Sequence, residues 1–482
     1  MKENQIIEIL NSILEIITDN MPLLRSHTAY FLTENSYEKL ICSNTRTLLE
    51  SLTIQKIKNL PIEAKNGKLT EILKQPLPNL ANCFPPFCVS DLQKAELLDN
   101  CCDKTQMSRK KYHEVVRIGH FLECNSRLLN HNVVDLGSGK GYLSDYLSQF
   151  LQYRVVGVET CDAFNDSAAK RRLKVSRIWR KMEFNRKKKA QDEPNDSFEN
   201  IRDRELASKS DKDRDTQLET RLRDNFNASL VEKSYEIKTD YITSGSDLSE
   251  IFPGESFSLV GLHTCGDLAA SSLRLFVKSE NCRFICNVGC CYNTLTEEGY
   301  ERGFPMSQFL NANFSEELGT AKTLACLSPE KQIDGGGKDP LPKMFNRALL
   351  QKLVLDRTGY SLDHRKQFSK KKAARSFLEY CKCCFPLIEV EDKHFLQDLS
   401  DSDIENFEQI NAPSKHQMFI FNHYRACFAY LLEHLFLLDR LLFLRENGIE
   451  KSEVVQLFDP KLSPRCYAVV ASKNGPLTIS EK

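Results

Sequence analysis

The chain has 482 residues, and its 66 Lys plus Arg balance 66 Asp plus Glu, so the overall field is near neutral. This excludes a general nucleic-acid coat but leaves local basic patches open, and the length admits a full core in two lobes or in one domain with large insertions. Eighteen cysteines behind a start without a long apolar signal core indicate reduced thiols in the cytosol or nucleus, and no run reads as a membrane span, because Arg425, Glu433, His434, Asp439 and Arg440 interrupt the most apolar stretch, Phe419 to Leu444.

Residues 1–104 read as a helical N-terminal lobe, with helices over Ile6 to Ile17 and Thr45 to Ile57. Pro61, Pro76, Pro78, Pro85 and Pro86 break its later part. A substrate-recognition lid and a purely structural lobe both fit. At 107–116, Ser108 caps a helix whose face carries Tyr112, Val115, Val116 and Gly119. Lys110, Lys111 and His113 lie just before the next strand, where they either reach a ligand or are merely solvated.

Residues 132–159 carry the strongest signal. A buried strand ends at Asp135 and Leu136, and the loop Gly137-Ser138-Gly139-Lys140-Gly141 follows. Leu143, Leu147, Phe150 and Leu151 then fall at helical spacing, and a second strand, Val155 to Val158, ends in Glu159. Glycines allow a tight turn and close approach of backbone to a ligand. The helix that follows points its partial positive end at that ligand. An acid about 20 residues after the glycines, at a strand's carboxyl end, can accept both hydroxyls of a ribose. A dinucleotide site expects Gly-x-Gly-x-x-Gly; the Gly-x-Gly-x-Gly behind Asp135 resembles motif I of class I S-adenosylmethionine methyltransferases. A plain glycine turn in an unrelated α/β domain is the competing reading.

Between this unit and the next strand, near Tyr235 to Ile237, about 65 residues replace a normally short loop. This insertion, 165–232, is expected to be part helix and part disorder. Lys170 to Lys189 holds eleven Lys or Arg and one acid, Glu183. It reads as a solvated spacer, as a basic arm for RNA phosphates or an acidic partner, or, at Arg186 to Lys189, as a nuclear-targeting run. Strands over Phe257 to Leu262 and Arg283 to Val288 end in His263-Thr264-Cys265-Gly266-Asp267 and Gly289-Cys290-Cys291-Tyr292-Asn293, with a helix starting near Leu268. Residues 294–415 form a second, mainly helical insertion with a basic cluster at Arg365 to Arg375 and an acid-rich turn at 389–408. The chain closes at 416–482 with a long helix, His423 to Leu444, and strands near Val454 to Leu457 and Cys466 to Ala471.

Together these runs resemble the methyltransferase-like protein 25 family, including its 25B branch, also labelled as ribosomal RNA adenine dimethylase domain-containing. The matching pieces are Lys-Lys-Tyr-His-Glu-Val at 110–115, Asp-Leu-Gly-Ser-Gly-Lys-Gly at 135–141 and Gly-Leu-His-Thr-Cys-Gly-Asp-Leu at 261–268. Gly-Cys-Cys-Tyr at 289–292, Gly-Phe-Pro-Met-Ser at 303–307 and Leu-Ser-Pro-Arg at 462–465 complete them. The His-x-Cys-Gly run and the Cys-Cys pair are also similar to those of a tRNA 2′-O-ribose methyltransferase family, which points toward RNA. The resemblance implies an α/β fold: a class I Rossmann-like core of seven mostly parallel strands, over 105–164 and 233–293, completed by 416–482. It implies that Lys111, Asp135, Gly137, Ser138, Gly139, Gly141 and Glu159 hold S-adenosyl-L-methionine, with Asp240 near the adenine.

In such a sheet the fourth and fifth strands are neighbours, so His263, Cys265, Cys290 and Cys291 should converge beside the donor methyl. Three readings stay open. The cluster forms the acceptor pocket, with His263 as base or orienter and Tyr292 or Asn293 holding the target; or the His and three Cys bind zinc; or the cysteines simply pack. The Asn/Asp-Pro-Pro-Tyr clamp of base amino-methyltransferases is absent after the fourth strand, which argues against dimethyladenosine formation. The expected function is methyl transfer from S-adenosylmethionine to RNA or protein, with His263, Cys290, Cys291 and Tyr292 as candidate catalytic residues and no metal assigned. The alternative is a non-catalytic module that binds RNA or a protein through its basic segments, 170–189 and 365–375.

Overall fold

The computed structural model describes residues 1–73, 76–87, 107–172, 175, 178, 235–333, 339–363, 376–389 and 394–479. Seven strands form one sheet: β1 Asn132–Leu136, β2 Arg154–Glu159, β3 Glu236–Thr239, β4 Phe257–Thr264, β5 Cys282–Gly289, β6 Ser452–Gln456 and β7 Tyr467–Ser472. Their order is β3-β2-β1-β4-β5-β7-β6. β1 to β5 run parallel, while β7 lies antiparallel to both β5 and β6. β1 is buried along its whole length, as are β7 and seven of the eight residues of β4 and β5, which is why these segments read as continuous apolar runs rather than alternating ones. The strand order reverses between β1 and β4, so the carboxyl ends of these strands open a crevice suited to a ligand.

The chain divides into two compact units. One comprises Met1–Glu3, Phe84–Asn313 and Phe436–Lys482 and contains the sheet; the other comprises Asn4–Cys83 and Phe314–Leu435. The second unit is helical, so the N-terminal lobe and most of the later insertion share one core. Within it, Arg425 is buried and its guanidinium donates to the carbonyls of Leu23, Leu24 and Ser26 at 3.0, 3.1 and 2.7 Å. These satisfy the end of the Met21–Arg25 helix, whose carbonyls have no partner inside it.

Three helix expectations need correction. Thr45 to Ile57 is not one helix: Ser43–Glu50 ends, and Thr53 caps a new helix, Ile54–Lys65, by accepting from Lys56 N. Pro61 lies inside that second helix instead of breaking it. His423 to Leu444 is also two helices, Ser414–Ala426 and Ala429–Glu446, separated where Cys427 N and Phe428 N reach back only three residues, to Tyr424 O and Arg425 O. Nearly all of the 165–232 insertion and the whole Arg365 to Arg375 cluster lie outside the described residues. Among the described residues, no helix is long and apolar enough to cross a membrane.

In the sheet unit, Ser108 caps the Arg109–Cys124 helix by accepting from Lys111 N. Gly119 on this helix is required by close approach: a Cβ there would meet the Tyr146 ring at 2.2 Å. Tyr146 begins a π turn, Tyr146–Phe150, that continues the short helix Tyr142–Asp145. A motif from the C-terminal half serves this unit too. Met306 N and Ser307 N, in Gly-Phe-Pro-Met-Ser, donate to the two oxygens of buried Asp439 at 2.8 Å each. Asp439, which interrupts an apolar helix in the sequence, therefore anchors a loop.

Candidate functional site

The turn after β1 has Gly137, Gly139 and Gly141 all in the left-handed region, at φ +67°, +56° and +68°. Residues with a Cβ rarely adopt that backbone, which accounts for glycine at alternate positions. Gly137 N and Ser138 N both donate to Val158 O, at 2.9 and 3.1 Å, tying the turn to β2. Glu159, at the end of β2, closes the arrangement: Oε2 accepts from Gly139 N at 2.9 Å and Oε1 from Cys161 N at 3.0 Å. The carboxylate thus sits at the mouth of the glycine turn. A Cβ on Gly139 would meet nothing nearer than Gly137 O at 4.0 Å, so the space in front of it is open.

That space is a cavity of about 1000 Å³ lined by Lys111, Asp135, Gly137, Ser138, Gly139, Glu159 and Asp240, and on its other side by Leu262, His263, Cys265, Asp267, Thr294, Thr296, Glu298, Glu301 and Arg302. Of the eight residues expected to hold the cofactor, seven line it. Gly141 lies behind, where a Cβ would meet Tyr235 Oη at 1.8 Å; its role is to seat the turn on β3's entry. Asp135 is fully buried and accepts from Ser144 Oγ at 2.6 Å. Burial pushes its carboxyl up to about 7, against the pull of Ser144 and of the Lys111 charge. Asp240 is exposed, with Oδ1 accepting from Tyr241 N at 2.8 Å. Two arginines of the basic run face inward: buried Arg171 pairs with buried Asp145 and lies 4.0 Å over the Tyr142 ring, and Arg172 donates to Tyr235 O at 2.8 Å.

The expected His/Cys convergence splits in two. His263 is a bulge in β4: Leu262 pairs with Val288 and Thr264 with Gly289, and His263 between them has φ +66°. Its Nε2 lies 2.8 Å from Oε1 of Glu114, a wholly buried carboxylate on the Arg109–Cys124 helix. Ser463 Oγ donates to the same oxygen at 2.6 Å, and Lys111 Nζ lies 3.0 Å from Oε2. Burial opposes ionisation of Glu114, but the His263 hydrogen bond and charge, Lys111 and Ser463 outweigh it and hold the carboxyl down to about 2. The other ring nitrogen, Nδ1, is buried without a hydrogen-bond partner. His263 therefore borders the cavity with Nε2 held by Glu114 and Nδ1 buried.

Cys265, Cys290 and Cys291 do come together, their sulfurs within 4.8 Å of one another. Cys265 lines the cavity; Cys290 and Cys291 do not. Tyr292 is buried, stacked on Phe436 with ring centroids 5.2 Å apart, between the guanidiniums of Arg440 and Arg465 at 5.5 and 5.8 Å. It supports the floor of the β5 end instead of facing the cavity. Glu114 and Ser463 were not singled out from the sequence, although both stand in quoted motifs. The signal for Glu114 was a charge between Tyr112 and Val115 on an apolar helix face. Nothing local reveals that its partners would be 149 and 349 residues away.

A family described as a methyltransferase domain matches residues 110–298, the stretch that holds the glycine turn, Glu159, Glu114 and the cysteine triad. A probable methyltransferase-like protein 25 of Homo sapiens is 26% identical across 96% of both chains, and its Mus musculus counterpart is 25% identical over the same shares. The chain is therefore similar to methyltransferase-like protein 25 along nearly its whole length and carries a methyltransferase domain. No solved structure gives a significant match. The seven-stranded sheet and the matched domain agree on an α/β, Rossmann-like methyltransferase core. A methyltransferase domain implies a methyl donor.

Proposed function

We propose that the cavity binds S-adenosylmethionine and presents its methyl group to a protein side chain. The observation that carries the donor assignment is Glu159 held against Gly139 N–H at the edge of an open hollow. An ionised carboxylate offers about four acceptor sites, and the two backbone donors occupy one on each oxygen, so both oxygens can still accept a ribose hydroxyl. Asp135, at the bottom of the turn, supplies negative charge for the donor's cationic end, and Asp240 lies where the adenine is expected. S-adenosylmethionine, when bound, supplies an activated methyl group. The protein has then to align the acceptor with it at about 3 Å and exclude water. Glu114 and His263 fix the end of β4 for that alignment.

Charge around the cavity favours protein over RNA. Its lining includes the acids Asp135, Glu159, Asp240, Asp267, Glu298 and Glu301 against the cations Lys111, Lys140 and Arg302. An acidic mouth repels phosphate and attracts a cationic side chain. The rival reading, a non-catalytic module, draws on basic segments that largely lie outside the described residues, and Arg171 and Arg172 of the first one are engaged internally.

Two measurements test the halves separately. Calorimetric titration with S-adenosylhomocysteine should show binding to the wild-type chain and none to Gly139→Arg, whose side chain would enter the hollow; wild-type protein that does not bind it ends the donor assignment. Tritium transfer from labelled S-adenosylmethionine into fractionated cell extract should label protein. Label confined to RNA would overturn the acceptor assignment and leave the donor intact.

A further inference from the structure

We infer that Cys265, Cys290 and Cys291 form a thiolate site for a zinc ion at the wall of the cavity. The fold builds the site from two neighbouring strands. β4 and β5 pair in parallel, and the bulge at His263 shifts the register so that Thr264 faces Gly289. The next residue of each strand is then Cys265 and Cys290, side by side, with Cys291 following. Without the bulge Cys265 would stand opposite Cys291 instead, and Cys290 would face Thr264.

The distances suit one cation. Cys265 Sγ lies 3.3 Å from Cys291 Sγ, and Cys291 Sγ lies 3.9 Å from Cys290 Sγ. A zinc–sulfur bond of about 2.3 Å in a tetrahedron sets sulfurs about 3.8 Å apart. None of the three cysteines is in a disulfide, and none is deeply buried. An all-sulfur donor set selects a thiophilic ion over magnesium or calcium. Thiols bind a metal as thiolates, so metal entry releases protons. Zn²⁺ entering the triad forms three Zn–S bonds, and the protons leave to solvent with no change of oxidation state. His263 is not a ligand: its Nε2 is held by Glu114, and the close group of ligand atoms comprises the three sulfurs without an imidazole nitrogen. Three protein donors leave the fourth position to a solvent or acceptor atom.

The test uses the full-length chain. Purified without chelator, it should carry about one zinc per chain by mass spectrometry of the metal, and cobalt exchanged for zinc should give a thiolate-to-cobalt charge-transfer band. Cys265→Ser and Cys291→Ser should each lose the band, while Cys286→Ser, a buried cysteine on β5 outside the triad, should keep it. Wild-type protein that takes up no zinc and shows no cobalt–thiolate band overturns the assignment, and that result depends on no variant's folding. So does a metal that persists in the Cys265→Ser/Cys291→Ser double variant, or a native Cys265–Cys291 disulfide found by peptide mapping.

Discussion

Glu159→Gln is the sharpest perturbation of the donor site, because it keeps the side chain's shape and removes its charge. In the wild type the two oxygens meet two backbone N–H groups at 2.9 and 3.0 Å. Glutamine has one oxygen, so one of these donors must face an NH₂ group. In the bound state the loss is larger. Hydrogen bonds to a charged group are worth about 1.5–3 kcal/mol each, against about 1 for neutral pairs, so weakening two ribose contacts costs about 1–4 kcal/mol. Glu159 is half-buried, and solvent screening pulls the effect toward the lower end. The expected change is about 30-fold weaker binding of S-adenosylhomocysteine. Isothermal titration calorimetry measures it, with Glu298→Gln, on the opposite side of the cavity, expected to bind as wild type. If Glu159→Gln binds within about twofold of wild type and melts at the same temperature, the carboxylate does not grip the ligand and the donor assignment fails.

Asp135 links donor binding to pH. Its carboxyl is pushed up to about 7 by burial in the free protein, and a cationic ligand favours the ionised form. Affinity for S-adenosylmethionine should therefore rise between pH 6 and pH 8 with proton release, read by calorimetry in buffers of different ionisation enthalpy, and Asp135→Asn should flatten it. Glu114 links stability to acid. Its carboxyl is depressed from 4.5 to about 2, so its contribution is fully present above 4.5 and is lost as pH falls toward 2. The full shift corresponds to about 3 kcal/mol, and urea midpoints from pH 6 to pH 3 should fall less steeply in Glu114→Gln than in wild type. Arg171→Met should destabilise by about 3–5 kcal/mol in urea denaturation, because it strands buried Asp145, and Asp145→Asn should recover part of the loss when added to it.

The sequence exposes what is local. The strand–turn–helix–strand unit from Asn132 to Glu159 is legible because its signals are short-range: apolar runs, alternate glycines and an acid at a strand end. The neighbouring β4 and β5 ends follow once the fold class is known. What escapes is contact made by folding back. The motif at 110–115 and the motif at 462–465 meet where Ser463 reaches Glu114, and no spacing rule encodes a pair 349 residues apart. The break after Ala426 also escapes, since apolar periodicity continues through it. His263 escapes for another reason. Its positive φ belongs to a conformation that sequence patterns reserve for glycine, so an ordinary strand register sends its ring into the cysteine cluster.

That bulge connects the two halves of the site. An unbroken β4 would alternate side chains across the sheet through His263, Thr264 and Cys265, placing His263 and Cys265 on one face. The extra residue sends the imidazole to Glu114, while Thr264 Oγ1, next in line, bonds Asn287 Oδ1 at 3.0 Å and Val288 O at 3.2 Å within the sheet. Cys265 is then free to meet Cys290 and Cys291. A left-handed non-glycine residue costs about 1–2 kcal/mol, and the structure holds it there through a hydrogen bond to a buried carboxylate that is itself fixed by Lys111 and Ser463. Lys111 belongs to both sets, lining the donor cavity while it pairs with Glu114. A change of charge at the donor end of the cavity is therefore one side chain away from the residue that sets the register of β4 against β5, and hence from the wall on which an acceptor must be placed.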